Sequence, residues 1–105
     1  MKLTDLNPHF IGAGGEGVWD KDGKQVPERH GVGIVFDCPC GNSECPALYV
    51  GFSNPKDGGP PLEGPQPKWS RSGDTFEDIS LTPSILRTSH CGWHGYVTNG
   101  QITNC

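Results

Sequence analysis

The chain has few apolar residues and no long apolar run. Only 32% of its 105 residues are hydrophobic, and 9% are aromatic. No segment approaches the roughly 20 apolar residues that cross a membrane, and the first 15 residues lack the apolar stretch of a signal peptide. The sequence therefore predicts synthesis in a reducing cytosol and no association with a membrane.

Positive charge is also scarce. Lys and Arg number 8 against 12 Asp and Glu, which gives a formal net charge of −4. The basic residues are scattered rather than gathered in a stripe, so no phosphate-binding surface is indicated. The aromatic residues alternate with glycine rather than with basic residues, which is not typical of a base-stacking surface. We therefore expect no binding of nucleic acid.

What the chain does have is glycine, proline and cysteine, with 16, 10 and 5 residues respectively. A chain this short buries a limited core and usually needs a disulfide, a metal or a partner subunit to hold it together. The odd number of cysteines argues against a complete disulfide framework. In a reducing cytosol, closely spaced cysteines bind metal more often than they oxidise.

The residue pattern predicts a single small, loop-heavy all-β domain that a metal staples together. Residues 1–30 are glycine-rich and read as an extended N-terminal arm with a loose turn at Asp22-Gly23. The β domain is expected over residues 31–105. An ordered arm of this composition would suggest that a neighbouring molecule holds it.

Within the β domain, strands are predicted at residues 31–37, 47–52 and 75–81. Residues 53–68 contain five prolines and read as one long surface loop. Thr82-Pro83 favours the start of one helical turn, because proline suits the first helical position.

The Asn99-Gly100 dipeptide between two β-rich runs predicts a closing hairpin with a two-residue loop. In that hairpin Val97 faces Ile102 on the core side, and Tyr96 faces Thr103 on the other.

Two short Cys/His clusters form the candidate metal site. Cys38 and Cys40 lie in a Cys-Pro-Cys-Gly turn, and Cys91 and His94 lie in a Cys-x-x-His turn. Glycine beside each pair allows a tight backbone turn, and zinc favours four thiolate and imidazole ligands in a tetrahedron. We therefore predict a closed structural zinc site, with Cys45 as an alternative ligand.

Other readings of the same residues remain open. The cysteines could be buried apolar fillers, although fillers need not cluster beside glycine in polar turns. His90 could compete with His94, but Gly92 and Gly95 disfavour the helix that would place both on one face. Cys105 reads as a free thiol.

These motifs together resemble a small phage and prophage family. Its members carry a CPCG turn, an LTPSI segment and a closing Cys/His cluster ahead of an Asn-Gly turn, which match Cys38–Gly41, Leu81–Leu86, Cys91–His94 and Asn99-Gly100. The resemblance covers residues 31–103, and the chain departs from it at 42–45. It implies a zinc-binding domain encoded by a virus or an integrated virus.

The Cys91-Gly-Trp-His94-Gly segment is also similar to the second ligand box of Rieske iron–sulfur proteins. Rieske centres use two cysteines and two histidines, whereas the first box here has Cys40 in place of a histidine. This resemblance implies, as the alternative, a [2Fe–2S] cluster in an electron-transfer or oxygenase component.

No sequence motif points to catalysis. Residues 12–17 match G-x-G-x-x-G, but no helix start follows them. Ser84 is not in the strand–turn–helix elbow of serine hydrolases, and no catalytic residue is assigned.

The sequence therefore predicts a non-enzymatic, zinc-stabilised module that binds protein partners. The resemblance to the phage family implies that the module is itself associated with the virion or its assembly, for example as a capsid or tail accessory protein, with a viral capsid or tail assembly as its partner. It also implies synthesis in the cytoplasm of a bacterial host.

Overall fold

The computed structural model describes all of residues 1–105, and the chain forms one seven-stranded sheet in which the strands follow chain order. A short 3₁₀ helix (Leu3–Leu6) precedes the strands, which are β1 (His9–Ala13), β2 (Arg29–Phe36), β3 (Leu48–Phe52), β4 (Lys68–Ser72), β5 (Ser80–Leu86), β6 (His94–Thr98) and β7 (Gln101–Asn104). All neighbours pair antiparallel except β3 and β4, which pair parallel. The predicted all-β class is confirmed. No helix has the length and apolar character needed to cross a membrane.

The core lies on one face of the sheet. Its largest fully buried side chains in the strands are Val32, Ile34, Phe36, Val50, Phe52, Leu81 and Val97. Successive side chains of a strand point to opposite faces, so the residues between them form the outer face. On β5 and β6 that outer face carries Thr82, Ser84, Leu86, His94 and Tyr96, none of which is buried.

The closing hairpin has the predicted register. Thr98 pairs with Gln101, Val97 with Ile102 and Tyr96 with Thr103. Asn99 and Gly100 adopt φ angles of 48° and 71°, the left-handed pair that a two-residue type I′ turn requires. A Cβ atom at position 100 would also lie only 2.5 Å from the Glu77 carbonyl oxygen. Glycine is therefore required both for the left-handed φ and for this close approach.

The predicted strand at 75–81 and the helical turn after Thr82-Pro83 are not present. The Asp78 carboxylate instead accepts hydrogen bonds from the Thr75 N–H and hydroxyl, which folds residues 75–78 into a turn and lowers the pKa of Asp78. The chain then enters β5, whose Thr82–Pro83 peptide is cis. Thr82, Pro83 and Ser84 bulge, because Leu81 pairs with Val97 and Ile85 already pairs with Gly95.

The first 13 residues belong to the domain rather than to a free arm. Leu3 and Leu6 are buried in the core, and β1 pairs along β2. The Leu3 N–H donates to the Gly100 carbonyl at 2.8 Å, and the Ile102 N–H donates to the Met1 carbonyl at 2.7 Å. The segment is therefore ordered by its own domain, and its order gives no indication of a neighbouring molecule.

Candidate functional site

The outer face of β5 and β6 brings a serine and a histidine together. Ser84 Oγ lies 3.0 Å from His94 Nε2, a hydrogen bond between the hydroxyl and the imidazole. Ser84 is half-buried and His94 is exposed. The two residues are ten positions apart in sequence and are joined only by the pairing of two strands, in which Leu86 lies opposite His94.

The backbones that carry this pair are each held from the side. The Trp69 indole N–H of β4 donates to the Ser84 carbonyl at 3.2 Å. The Cys105 N–H donates to the His94 carbonyl at 2.9 Å, which extends the pairing of β6 with β7. Each backbone is therefore held by a hydrogen bond from its side, and the pair lies on strands rather than on a loop, with Ser84 in the β5 bulge and His94 at the start of β6.

The Ser84–His94 geometry suits acyl transfer. A serine hydroxyl becomes a nucleophile when an imidazole within hydrogen-bond reach can take its proton. The His94 ring makes no other hydrogen bond in the structure, so no carboxylate or amide orients its second nitrogen. The arrangement is a Ser–His dyad, without the third member of a triad.

Four cysteines form a second cluster, and they lie in the loops that follow β2 and β5. The Sγ atoms of Cys38, Cys40, Cys45 and Cys91 all lie within 4.8 Å of one another, and those of Cys38 and Cys91 are 3.4 Å apart. Cys38, Cys40 and Cys45 come from the segment between β2 and β3, whereas Cys91 lies between β5 and β6. Four cysteines this close together can bind a metal ion.

The spacing of the sulfurs fits a tetrahedral thiolate site. A Zn–S distance of about 2.3 Å places the four sulfurs of a tetrahedron about 3.8 Å apart, within the span of this cluster. Burial raises the pKa of the Cys38 thiol to about 12. The Cys38 thiol therefore keeps its proton unless a metal cation displaces that proton. The displacement is required because the thiolate is the form that binds metal.

A buried arginine lies beside the cysteine cluster. Arg87 is only 8% exposed, and its Nη1 donates to the carbonyl of Pro46, the residue after Cys45. It forms no salt bridge, and its Nε has no hydrogen-bond partner. A buried cation without an opposite charge beside it is costly. Four thiolates around a divalent ion carry a net charge of −2, which would offset it, so Arg87 supports a charged thiolate site here.

The cluster differs from the predicted ligand set at one position. Cys38, Cys40 and Cys91 lie together as expected, and Cys45, the alternative ligand, is the fourth member. His94 lies apart from them, because it begins β6 and directs its Nε2 to Ser84. Cys105 is also outside the cluster and is exposed.

The cluster and the dyad share one short connection. Cys91 precedes His94 by three residues in the turn between β5 and β6. The Arg87 N–H donates to the Trp93 carbonyl at 2.8 Å, which closes the base of this turn. A metal ion bound to Cys91 would therefore also hold in position the start of β6, where His94 lies.

Comparison with known proteins gives one family match. The family described as bacterial ubiquitination-like system serine protease (BubE) matches residues 18–105. No curated protein matches the chain, and no solved structure does.

The family match corrects the predicted function. The expectation of a non-enzymatic structural module of a phage virion is wrong, because the matching family is described as a serine protease. The alternative prediction, an electron-transfer or oxygenase component, is wrong for the same reason. Sequence reasoning set Ser84 aside because it lacks a nucleophile elbow. That motif belongs to one fold, whereas Ser–His pairs recur on unrelated folds and are recognised by geometry.

Proposed function

Because the chain belongs to the family of bacterial ubiquitination-like system serine proteases, we propose that it is a peptidase in which Ser84 is the nucleophile and His94 the general base. The observation that carries this assignment is the 3.0 Å contact between Ser84 Oγ and His94 Nε2. It is the one serine–histidine hydrogen bond in the structure.

The proposed reaction follows from this contact. Ser84 Oγ attacks the carbonyl carbon of the scissile peptide bond as His94 Nε2 takes its proton. The same imidazole then gives that proton to the leaving amine as the C–N bond breaks, which leaves the acyl group on Ser84. A water molecule, deprotonated by His94, hydrolyses the ester and regenerates the serine hydroxyl.

With no third residue on the imidazole, the sheet itself must orient His94. Its carbonyl is bonded to the Cys105 N–H, and its neighbours Trp93 and Gly95 are both buried. A side chain at Gly95 would approach the Trp93 ring and the Thr103 carbonyl far below van der Waals contact. At Gly95, β6 therefore packs closely against the Trp93 ring and β7. This packing keeps the strand from rotating and holds the His94 imidazole on the outer face.

The cysteine cluster is proposed to hold zinc. Cys38, Cys40, Cys45 and Cys91 would supply four thiolates, a common structural zinc set with no open position for a reacting water. Zinc bound there would supply a fixed link between the β2–β3 segment and the β5–β6 turn, not a reactive group. This tether would hold the start of β6 and thereby the position of His94.

The proposed partner is a polypeptide substrate from a bacterial ubiquitination-like system, the setting named by the family description. The outer face around the dyad has the surface for such a ligand. Leu86 is 55% exposed and Tyr96 is 46% exposed, and both share this face with Ser84 and His94. Exposed apolar and aromatic side chains beside a nucleophile are suited to binding an extended peptide.

A peptide library with an inhibitor tests the proposed class of activity. We expect the protein to cleave members of a degenerate decapeptide library, as mass spectrometry of the products would detect. Pretreatment with a fluorophosphonate, which reacts with activated serines, is expected to abolish that cleavage. Pretreatment with the corresponding phosphonic acid, which lacks the fluoride, is the matched control and should leave cleavage intact. Cleavage that persists in fully modified protein, or that is absent from the untreated protein, would contradict the proposal.

A further inference from the structure

An apolar cavity opens beside β3 and β4. It has a volume of about 260 Å³, and its lining includes Val32, Tyr49, Gly51, Phe52, Leu62 and Lys68. Strand residues form the floor, and the loop contributes one wall through Leu62, Glu63, Gln66 and Pro67. The loop that sequence reasoning left as a surface connection therefore has a structural role, since it encloses one side of this space.

The cavity adjoins the Ser84 strand. Trp69 donates its indole N–H to the Ser84 carbonyl. Its neighbour in β4 is Lys68, and its partner across the parallel pair is Phe52. Both of these neighbours line the cavity. In the β4–β5 register Ser70 faces Thr82, the last pair before β5 bulges. The Trp69–Ser84 hydrogen bond therefore provides the link between the residues that line the cavity and the backbone of Ser84.

The chemistry of the lining selects an apolar occupant. Tyr49 and Leu62 present apolar surface to the cavity, and Phe52 and Val32 are fully buried behind it. The polar members of the lining are Glu63, Gln66 and Lys68. The Lys68 ammonium is already engaged, with contacts to the Gly64 carbonyl at 3.3 Å and the Gln66 carbonyl at 3.4 Å. It is therefore not a free cation for an acidic ligand. The volume lies below the roughly 300–1,000 Å³ of drug-sized sites, which suits one side chain.

We propose that this cavity is the subsite that receives a large apolar side chain, branched aliphatic or aromatic, of the peptide substrate next to the bond that Ser84 attacks. The inference rests on the proposed function and specifies its substrate class. A pocket of this kind selects by burying apolar surface, and one methylene there is worth about 10- to 200-fold in kcat/KM.

Gly51 allows the cavity to be filled without straining the fold. Its φ is in the ordinary range, and an added Cβ would meet only the Tyr49 ring, at 3.4 Å or more. Gly33, its partner across β2 and β3, is unsuitable, since a Cβ there would lie 2.8 Å from the Val50 carbonyl oxygen. Gly51→Val therefore narrows the cavity from its floor, and Tyr49→Ala widens it at a half-exposed position.

The test is the residue preference of peptide cleavage. With a peptide library degenerate on both sides of the scissile bond, we expect the wild-type protein to favour Leu, Ile or Phe over Ala at one position by about 10-fold or more. Gly51→Val is expected to remove that preference while cleavage at alanine persists, and Gly51→Ala to reduce it. Tyr49→Ala is expected to shift it toward larger residues. Trp19→Ala, which removes an exposed aromatic side chain outside both the cavity and the face that carries Ser84 and His94, should leave the preference unchanged.

The outcomes separate the two proposals. Wild-type cleavage with no apolar preference, or a preference that folded Gly51→Val and Tyr49→Ala both retain, would overturn the subsite and leave the peptidase standing. No cleavage by the wild-type protein would overturn both. Thermal melting of each variant identifies a folding defect, and if Gly51→Val melts early, Tyr49→Ala and Gly51→Ala decide the question.

Discussion

Replacing Ser84 with alanine is expected to lower kcat/KM for peptide cleavage by about 10⁴- to 10⁶-fold, because loss of the nucleophile leaves only binding and polarisation of the substrate. His94→Ala is expected to cost a comparable factor, since the two residues act as a unit. His94→Gln tests the role further. Glutamine can hydrogen-bond to Ser84 but cannot accept its proton, so it should be as inactive as alanine. The measurement is the rate of cleavage of one peptide identified from the library.

Matched controls separate the dyad from general damage to the surface. Ser70 and His30 are exposed residues of β4 and β2 that form no hydrogen bond with either member of the dyad. Ser70→Ala and His30→Ala should keep the wild-type rate, and circular dichroism should show that all five variants are folded. A folded Ser84→Ala variant with more than about a tenth of the wild-type rate would contradict the assignment, as would a rescue of activity by glutamine at His94.

The second large effect is expected from the cysteine cluster. Cys38 is only 4% exposed and is packed into the core, so Cys38→Ser should both remove a ligand and leave a polar group buried. Structural zinc contributes about 10–16 kcal/mol in zinc-finger peptides at pH 7, as much as the roughly 5–15 kcal/mol that stabilises a typical domain. We therefore expect Cys38→Ser, or removal of metal by a chelator, to unfold the protein at ambient temperature.

Metal content and thermal melting check this expectation. Wild-type protein should contain one zinc per chain and no visible absorption, whereas a [2Fe–2S] cluster would be coloured. Cys45→Ser should lower the zinc content. His94→Ala and Cys105→Ser should leave it unchanged, because neither residue lies in the cluster. Retention of stoichiometric zinc by Cys45→Ser together with its loss from His94→Ala would restore histidine as the fourth ligand.

The parts of the fold that the sequence predicts are those set by local chemistry. The Asn99-Gly100 turn fixes the last hairpin and its register, because few residues tolerate two successive left-handed conformations. β2 and β3 are rich in β-branched and aromatic residues and lie within a few residues of their predicted bounds. β1 and β4 were missed, since His9–Ala13 and Lys68–Ser72 have no clear alternation and depend on their neighbours in the sheet.

The Ser84–His94 dyad could not be predicted from the sequence for a related reason. Proline at position 83 suggested a helical turn, and the apparent strand at 75–81 displaced β5 from its true position. Without β5 opposite β6, nothing relates Ser84 to His94. Pairing Ser80–Leu86 with the strand before the Asn-Gly turn would have placed both side chains on the outer face. The useful signal was thus strand pairing rather than residue spacing.

The gathering of Cys38, Cys40 and Cys91 was predictable, because cysteines beside glycine in polar turns are a strong pattern. The fourth member of the cluster was not, since Cys91-x-x-His94 has the spacing of a ligand pair, whereas the structure places Cys45 in the cluster and directs His94 to Ser84. The resemblance of these motifs to a phage and prophage family stays a prediction.

The most direct test of the account is to locate the adduct formed by a fluorophosphonate on the intact, metal-loaded protein by tandem mass spectrometry. The Ser84–His94 contact predicts a single modification on Ser84, lost in Ser84→Ala and slowed by orders of magnitude in His94→Ala. Modification of a different serine, or equal labelling of Ser84 with and without His94, would contradict a catalytic dyad at this site.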